Sequence, residues 1–351
     1  MSEFAAVAQL IDEARHSRAF PGCAVEVGRR DGVLWQSVAG MLTYEPDAAA
    51  VTPETIFDLA SLTKVIATTP VAMSLARSRR LLLTSPVAAY APDWRGADRS
   101  AVTIADLLEH CAGLPAWWDL YRRGETRREF THEISTLPLE YTPRSQSIYT
   151  DLGFILLGFI LEDAGGAPLD AQFDAAFEHP DLLFRPPASL RPRIAPTADD
   201  RHWRKRLLVG EVEDENGWAL GGIAGHAGVF GTAPAVGAYA RLVLRTLTEE
   251  TALGEPWLLR RFLTPSRVPR SSRALGWDLM RPTSSCGHRL SASAFGHTGF
   301  TGVSLWIDPQ KDVYVVLLTN RVHPTRPADP NDGLAKLRPL VHDAVMDALE
   351  R

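Results

Sequence analysis

Three short segments carry residue types and spacings that could do chemistry. In Asp58-Leu59-Ala60-Ser61-Leu62-Thr63-Lys64-Val65-Ile66-Ala67, small and polar residues lead into good helix formers. Residues three apart share a helix face, so the Ser61 hydroxyl should lie beside the Lys64 amine. An apolar turn and the positive end of a helix dipole both disfavour the charged amine, which makes Lys64 a candidate proton acceptor for a serine nucleophile. In Ser147-Ile148-Tyr149-Thr150-Asp151-Leu152-Gly153, polar groups precede the apolar run Phe154–Ile160. A tyrosine beside a lysine cation can serve as a base or proton shuttle. The same pattern also fits a half-buried tyrosine whose neighbour Asp151 caps a helix. In Gly296-His297-Thr298-Gly299-Phe300-Thr301-Gly302, glycines flank small polar residues ahead of an apolar run. Such a segment lets a substrate backbone approach closely and frees amides for an oxyanion, or is simply a glycine-rich turn entering a strand.

Lysine usage sharpens the first of these. Among 37 Lys and Arg residues only four are lysine (64, 205, 311 and 336), leaving 33 arginines. Arginine cannot give up its proton, so a rare lysine marks where a titratable amine is useful. Of the four, only Lys64 has a serine three residues before it.

Taken together and in order, Ser61-Leu62-Thr63-Lys64, Tyr149-Thr150-Asp151 and His297-Thr298-Gly299 resemble the three signatures of the class C β-lactamase-like serine hydrolases. That superfamily includes class C β-lactamases, D-alanyl-D-alanine carboxypeptidases and β-lactamase-like esterases. The similarity extends through Leu107–Pro115 and Gly221–Gly228, and so covers nearly the whole chain. It implies that Ser61 attacks a carbonyl, that Lys64 and Tyr149 move the proton, and that the Ser61 and Phe300 amides hold the oxyanion. Asp151, His297, Thr298, Gly299 and Phe300 would then contact substrate. No cofactor or metal is implied, and no HExxH-like cluster occurs among the ten histidines. His110 and His226 read as loop hydrogen-bonders. Two departures from the superfamily pattern bear on the substrate. Asp151 stands where asparagine is commoner, and an ionised aspartate only accepts hydrogen bonds. If it reaches Lys64, it would hold the amine protonated and shift the base role toward Tyr149. His297 stands where lysine is frequent, so its charge near neutrality should be partial. Trp117, Trp118 and Tyr121 could line an apolar acyl or alcohol subsite, or belong to the core.

The elements that must position these groups begin with two hairpins. Gly22–Val27 and Gly32–Ala39 alternate around a turn at Arg29–Gly32, and Val303–Ile307 and Val313–Leu318 flank a turn at Asp308–Asp312. Met1–Arg18 and Gly333–Leu349 read as helices, and Pro70 should kink the helix that carries Ser61 and Lys64. The stretch Leu182–Pro196, with four prolines, reads as a surface loop. The expected fold is α/β of the α+β type. An antiparallel sheet built from N- and C-terminal strands (about 1–60 and 270–351) is flanked by helices and carries a largely helical insertion at about 75–270. All of it forms one catalytic domain, 1–351.

A net charge of −5 argues against a nucleic-acid partner, and no apolar run reaches the length of a membrane span. Three scattered cysteines (Cys23, Cys111, Cys286) without a CxxC pair, and no secretory leader in Met1–Arg18, lead to the expectation of a reduced, cytoplasmic protein. The expected activity is that of an esterase or amide hydrolase on small molecules. The alternatives are D-alanyl-D-alanine carboxypeptidase or β-lactamase activity on D-amino-acid peptides or antibiotics, and a non-catalytic binding or assembly role. The sequence does not fix the oligomeric state.

Overall fold

The computed structural model describes residues 3–327 and 333–350. Its strands, in chain order, are β1 (Gly22–Arg29), β2 (Gly32–Gly40), β3 (Phe57–Asp58), β4 (Leu182–Phe184), β5 (Asp199–Asp200) and β6 (Arg206–Leu207), followed by β7 (Val229–Gly231), β8 (Asp278–Leu279), β9 (Phe295–Gly299), β10 (Val303–Asp308) and β11 (Val313–Thr319). Six of them form an antiparallel sheet in the order β2-β1-β11-β10-β9-β8. β1 pairs with β11 from Cys23 opposite Thr319 to Gly28 opposite Tyr314, so the two ends of the chain meet at the middle of the sheet.

The apolar run of β11 follows from that central place. Val313, Val315 and Leu317 face one hydrophobic cluster, while Tyr314, Val316 and Leu318 face another. A strand covered on both sides needs apolar residues at every position, not alternation. The first cluster is closed by helices Ala5–His16 and Gly333–Leu349, through Val7, Ile11, Val341 and Val345. The second is closed by helix Ala233–Thr246 and leads into the main core. At that core's centre lies helix Leu152–Gly165, whose residues Leu152–Leu161 are all buried, as an all-apolar helix requires. Among the described residues no single helix is long and apolar enough to cross a membrane.

Between residues 75 and 270, helices alternate with long loops and with β4 to β7. The expected loop Leu182–Pro196 is in part regular structure. Leu182, Leu183 and Phe184 precede the first proline, keep their N–H donors, and pair with β7. Ala188–Arg193 then forms a 3-10 turn that accommodates Pro192. Cys23, Cys111 and Cys286 are unpaired and buried, and burial pushes the Cys23 thiol up to about 12.

Candidate active site

β3 belongs to a three-stranded sheet, β3-β7-β4, and delivers the chain into a sharp turn before Ser61. Ala60 takes φ +45°, a left-handed conformation that costs a non-glycine residue about 1–2 kcal/mol. Buried Asp58 holds this turn. One carboxylate oxygen accepts the Ala60 N–H at 2.8 Å, and the other accepts the Glu213 N–H at 2.7 Å. The Asp58 carbonyl accepts the Thr301 hydroxyl at 2.7 Å, which ties the turn to the β9–β10 connection.

The helix after Ser61, expected to kink at Pro70, contains a π-helical turn, Lys64–Thr68, followed by α-helix Thr69–Arg77. Pro70 has no N–H to return to the preceding turn, and a widened turn there absorbs the defect. The Val65 carbonyl is capped by the buried Tyr239 hydroxyl at 2.6 Å.

Lys64, fully buried, is the hub of the site. Its Nζ lies 3.0 Å from Ser61 Oγ, 2.6 Å from the Tyr149 hydroxyl, 2.7 Å from Asp151 Oδ1 and 3.2 Å from the His226 carbonyl. The Tyr149 hydroxyl donates to Ser61 Oγ at 2.6 Å and lies 3.3 Å from Asp151. Burial, the largest single influence, pulls the lysine pKa down, but the Asp151 charge and Tyr149 together raise it above its usual value. The expectation of an amine poised to lose its proton is therefore reversed, and Lys64 rests as an ammonium. The condition raised for Asp151 is met, since its carboxylate, 87 residues later in the chain, reaches Lys64 at 2.7 Å and outweighs the dipole of the lysine's own helix. Tyr149 is also pushed up, by burial first and by Asp151 second, so it rests as a phenol.

Behind Tyr149 sits His110, its ring 4.8 Å from the tyrosine ring and 5.0 Å from that of Phe154. Its Nδ1 faces the Thr150 N–H at 3.1 Å. Burial and the nearby charges of Arg273 and Lys64 hold it well below the usual histidine value, so it is a neutral acceptor. His226 pairs through Nε2 with Asp214 at 2.7 Å, which fixes the carbonyl that Lys64 uses.

The third segment is itself a strand. β9 pairs with β10, and its last residue, Gly299, runs against the nucleophile turn. A Cβ on Gly299 would fall 2.8 Å from the Leu59 carbonyl oxygen and 2.4 Å from Val303 Cγ2, so only glycine permits this approach. Neither the Ser61 nor the Phe300 backbone N–H has a partner among the described residues. The carbonyls around the second amide are held. The Gly299 oxygen accepts from Arg338 Nη2 at 2.9 Å, and the Phe300 oxygen from Arg321 Nε at 2.9 Å. His297 is buried, with Nδ1 2.6 Å from the Thr298 carbonyl. Burial, Arg273 and Lys64 push it well below its usual range, so it is neutral and not the partly charged group expected.

These groups open into a cleft of about 450 Å³ whose walls include Ser61, Tyr149, Asp151, His226, Thr298 and Phe300. Arg273, with its guanidinium 5.3 Å from the Tyr149 ring centre, lines it together with Arg321, Asp214 and Arg326, the last ion-paired with Glu213 and Glu215. Trp117, 46% exposed, stands at the rim. Trp118 does not line the cleft. It packs against the main core beneath the Arg123 guanidinium, because its carbonyl is drawn to buried Asn216. Asp58, Arg273, Arg338 and the Asp214–His226 pair escape sequence reasoning. One more arginine among 33 carries no local signal, and Asp214 is locally the N-cap of the short helix Glu215–Ala219. Among the described residues, no three His, Cys, Asp or Glu side chains are placed to hold a metal ion.

The Beta-lactamase family profile matches residues 7–338. The chain belongs to the Beta-lactamase family. It is 28% identical over 356 aligned positions to an N-acetylmuramyl-L-alanine amidase of Bacillus subtilis (strain 168), spanning 90% of this chain and 80% of that one. Among solved structures it resembles EstCE1, a hydrolase with promiscuous acyltransferase activity (TM-score 0.77, 20% identity, 98% of each chain covered). It also resembles a penicillin-binding protein homologue from Caulobacter crescentus (TM-score 0.76, 20% identity, 99% of this chain and 98% of that one). This member of the Beta-lactamase family is a serine hydrolase.

Proposed function

We propose that the protein hydrolyses a small-molecule amide or ester through an acyl-enzyme on Ser61. The observation that carries this reading is the contact of Ser61 Oγ with both Lys64 Nζ and the Tyr149 hydroxyl, at 3.0 and 2.6 Å, beside two backbone N–H groups without a partner among the described residues. Ser61 Oγ attacks the carbonyl carbon. Its proton passes to the Tyr149 oxygen while the tyrosine's own proton moves toward Asp151. The Lys64 ammonium, 2.6 Å from the phenolic oxygen, opposes the negative charge that passes through it. The oxyanion is held by the Ser61 and Phe300 N–H groups. On collapse, the carbon–nitrogen or carbon–oxygen bond breaks and the leaving group takes the proton back through Tyr149. Water then repeats the sequence on the acyl-serine and returns the free acid.

An amide substrate is supported by the amidase relative, which aligns with 90% of this chain. A β-lactam preference is less well served, because Asp151 is committed to Lys64 and has no N–H to offer an acylamide carbonyl. Intact-mass analysis after a fluorophosphonate or a penicillin tests the reading. One fluorophosphonate adduct on the wild type, and none on Ser61→Ala, is expected. An unmodified wild type would refute the nucleophile, and a stable penicilloyl adduct would move the substrate class to β-lactams and D-alanyl peptides.

A further inference from the structure

Asp58 is a buried carboxylate that the proton transfers above do not use. It ends β3, two residues before left-handed Ala60 and three before Ser61, and it does not line the cleft. Among the described residues no cation is ion-paired with it. Arg204, whose charge does reach it, spends its guanidinium on the Asp200 carboxylate and on the Val212 and Glu213 carbonyls. A carboxylate buried without a counter-ion is costly, so its place in the fold calls for something a neutral side chain does not supply.

That something is two acceptor oxygens pointing in different directions. One accepts the Ala60 N–H at 2.8 Å and the other the Glu213 N–H at 2.7 Å. An asparagine could accept only one of these, because its amide nitrogen would turn N–H toward N–H. A protonated aspartate carries a hydrogen that neither backbone N–H can accept, so one of its two arms is weakened.

The residue joins three segments. Its carboxylate holds the peptide that leads into Ser61, and its own carbonyl accepts the Thr301 hydroxyl at 2.7 Å, next to Phe300. The Glu213 arm reaches Phe300 by a second route. Glu213 grips Arg326, whose guanidinium lies 5.7 Å from the Phe300 ring centre. The two amides assigned to the oxyanion thus come from segments far apart in the chain, and Asp58 is bonded beside each.

We infer that Asp58 is a positioning residue, its ionised carboxylate holding the Ser61 and Phe300 N–H groups at the spacing that one oxyanion needs. The inference rests on the acyl-enzyme reading for the oxyanion itself. The tie is sensitive to acid. Burial first, and then the Asp214 charge, push Asp58 up to about 6 against its two backbone N–H groups and Arg204. Glu213, facing Arg326, Glu215 and Asp58, is pushed up to about 7, again by burial first.

The test is kcat and KM on p-nitrophenyl acetate from pH 5 to pH 8, with a thermal melt of each variant. Wild-type kcat should fall about tenfold across that range through an ionisation near 6, with KM little changed. Asp58→Asn should be about tenfold or more slower at pH 8 and lack that acid limb. Glu213→Gln, which keeps its backbone N–H and leaves Arg326 on Glu215, should retain the limb. Should Asp58→Asn fail to fold, the Thr301 tie gives the same reading: Thr301→Val should lose about tenfold in kcat, and Thr301→Ser should restore it. A wild type without the acid limb would overturn the role. So would an Asp58→Asn or Thr301→Val protein that melts near the wild type and keeps kcat within about threefold. Fluorophosphonate labelling separates the two claims. An unlabelled wild type would remove the acyl-enzyme, whereas a labelled wild type with unaffected variants would remove only the positioning role.

Discussion

Replacing Tyr149 by phenylalanine removes one oxygen and isolates its contribution. The ring keeps its place against His110 at 4.8 Å, and the Lys64 ammonium keeps Asp151 at 2.7 Å and the His226 carbonyl at 3.2 Å. No buried charge is stranded, so the stability loss should stay near the lower end of the about 1.5–3 kcal/mol typical of a hydrogen bond to a charged group. Catalysis should suffer more. With the phenol gone, Ser61 Oγ faces only an ammonium that is already protonated, and the route to Asp151 is cut. Loss of a positioned proton shuttle costs about 10²–10⁴ in rate, or roughly 3–5 kcal/mol of barrier. The assay is kcat on p-nitrophenyl acetate at pH 7.5, with a thermal melt to confirm folding. A variant that melts near the wild type and turns over at least a hundredfold more slowly is expected. Activity within tenfold of wild type would show that the serine proton does not travel through Tyr149.

Other consequences can be tested beside it. Arg338→Met removes the guanidinium that holds the Gly299 carbonyl at 2.9 Å, and with it the direction of the Phe300 N–H on the same peptide plane. kcat should fall by about tenfold or more with KM little changed, and Arg338→Lys should restore part of it. Asp151→Asn removes the largest influence that raises Lys64 and leaves burial opposed by Tyr149, so the lysine pKa should fall and its ionisation should move to lower pH in the kcat/KM–pH profile. A profile identical to wild type would contradict the ammonium assignment. His342 is buried, neither ring nitrogen has a partner among the described residues, and burial with Arg338 pulls its pKa down to about 3. Because that folded-state value lies below the ordinary 6.5, the unfolded chain binds the extra proton, and stability drops by about 1.4 kcal/mol per pH unit as pH falls from 6.5 toward 3. Denaturant melts of His342→Leu should show a shallower acid loss than wild type by that slope.

The sheet was legible because its strands announce themselves locally. The expected hairpins Gly22–Ala39 and Val303–Leu318 differ from the observed strands by one or two residues at their ends, and the last helix, Gly333–Leu349, matches its expectation. Of the expected helix Met1–Arg18 the structure gives Ala5–His16, and residues 1 and 2 lie outside the described part. β9 did not read as a strand because two of its five residues are glycine. Those glycines are demanded by neighbours remote in sequence, since a Cβ on Gly296 would strike the Leu305 carbonyl oxygen at 2.2 Å. The convergence of Ser61, Lys64, Tyr149 and Asp151 could be anticipated from residue type and spacing. The protonation state of that group was legible only as a condition on Asp151, because it depends on burial and on a 2.7 Å contact between residues 87 positions apart. Arg273, Arg321 and Arg338 act through tertiary placement alone.

The central claim is that a substrate acyl group resides on Ser61. Rapid acid quench of the wild type during turnover of a slow ester, followed by digestion and peptide mass mapping, reads this directly. A peptide containing Ser61 that carries the acyl mass, appearing within the burst and absent from Ser61→Ala, is the predicted result. A burst whose acyl group maps to any other residue, or turnover that persists in Ser61→Ala, would contradict the account.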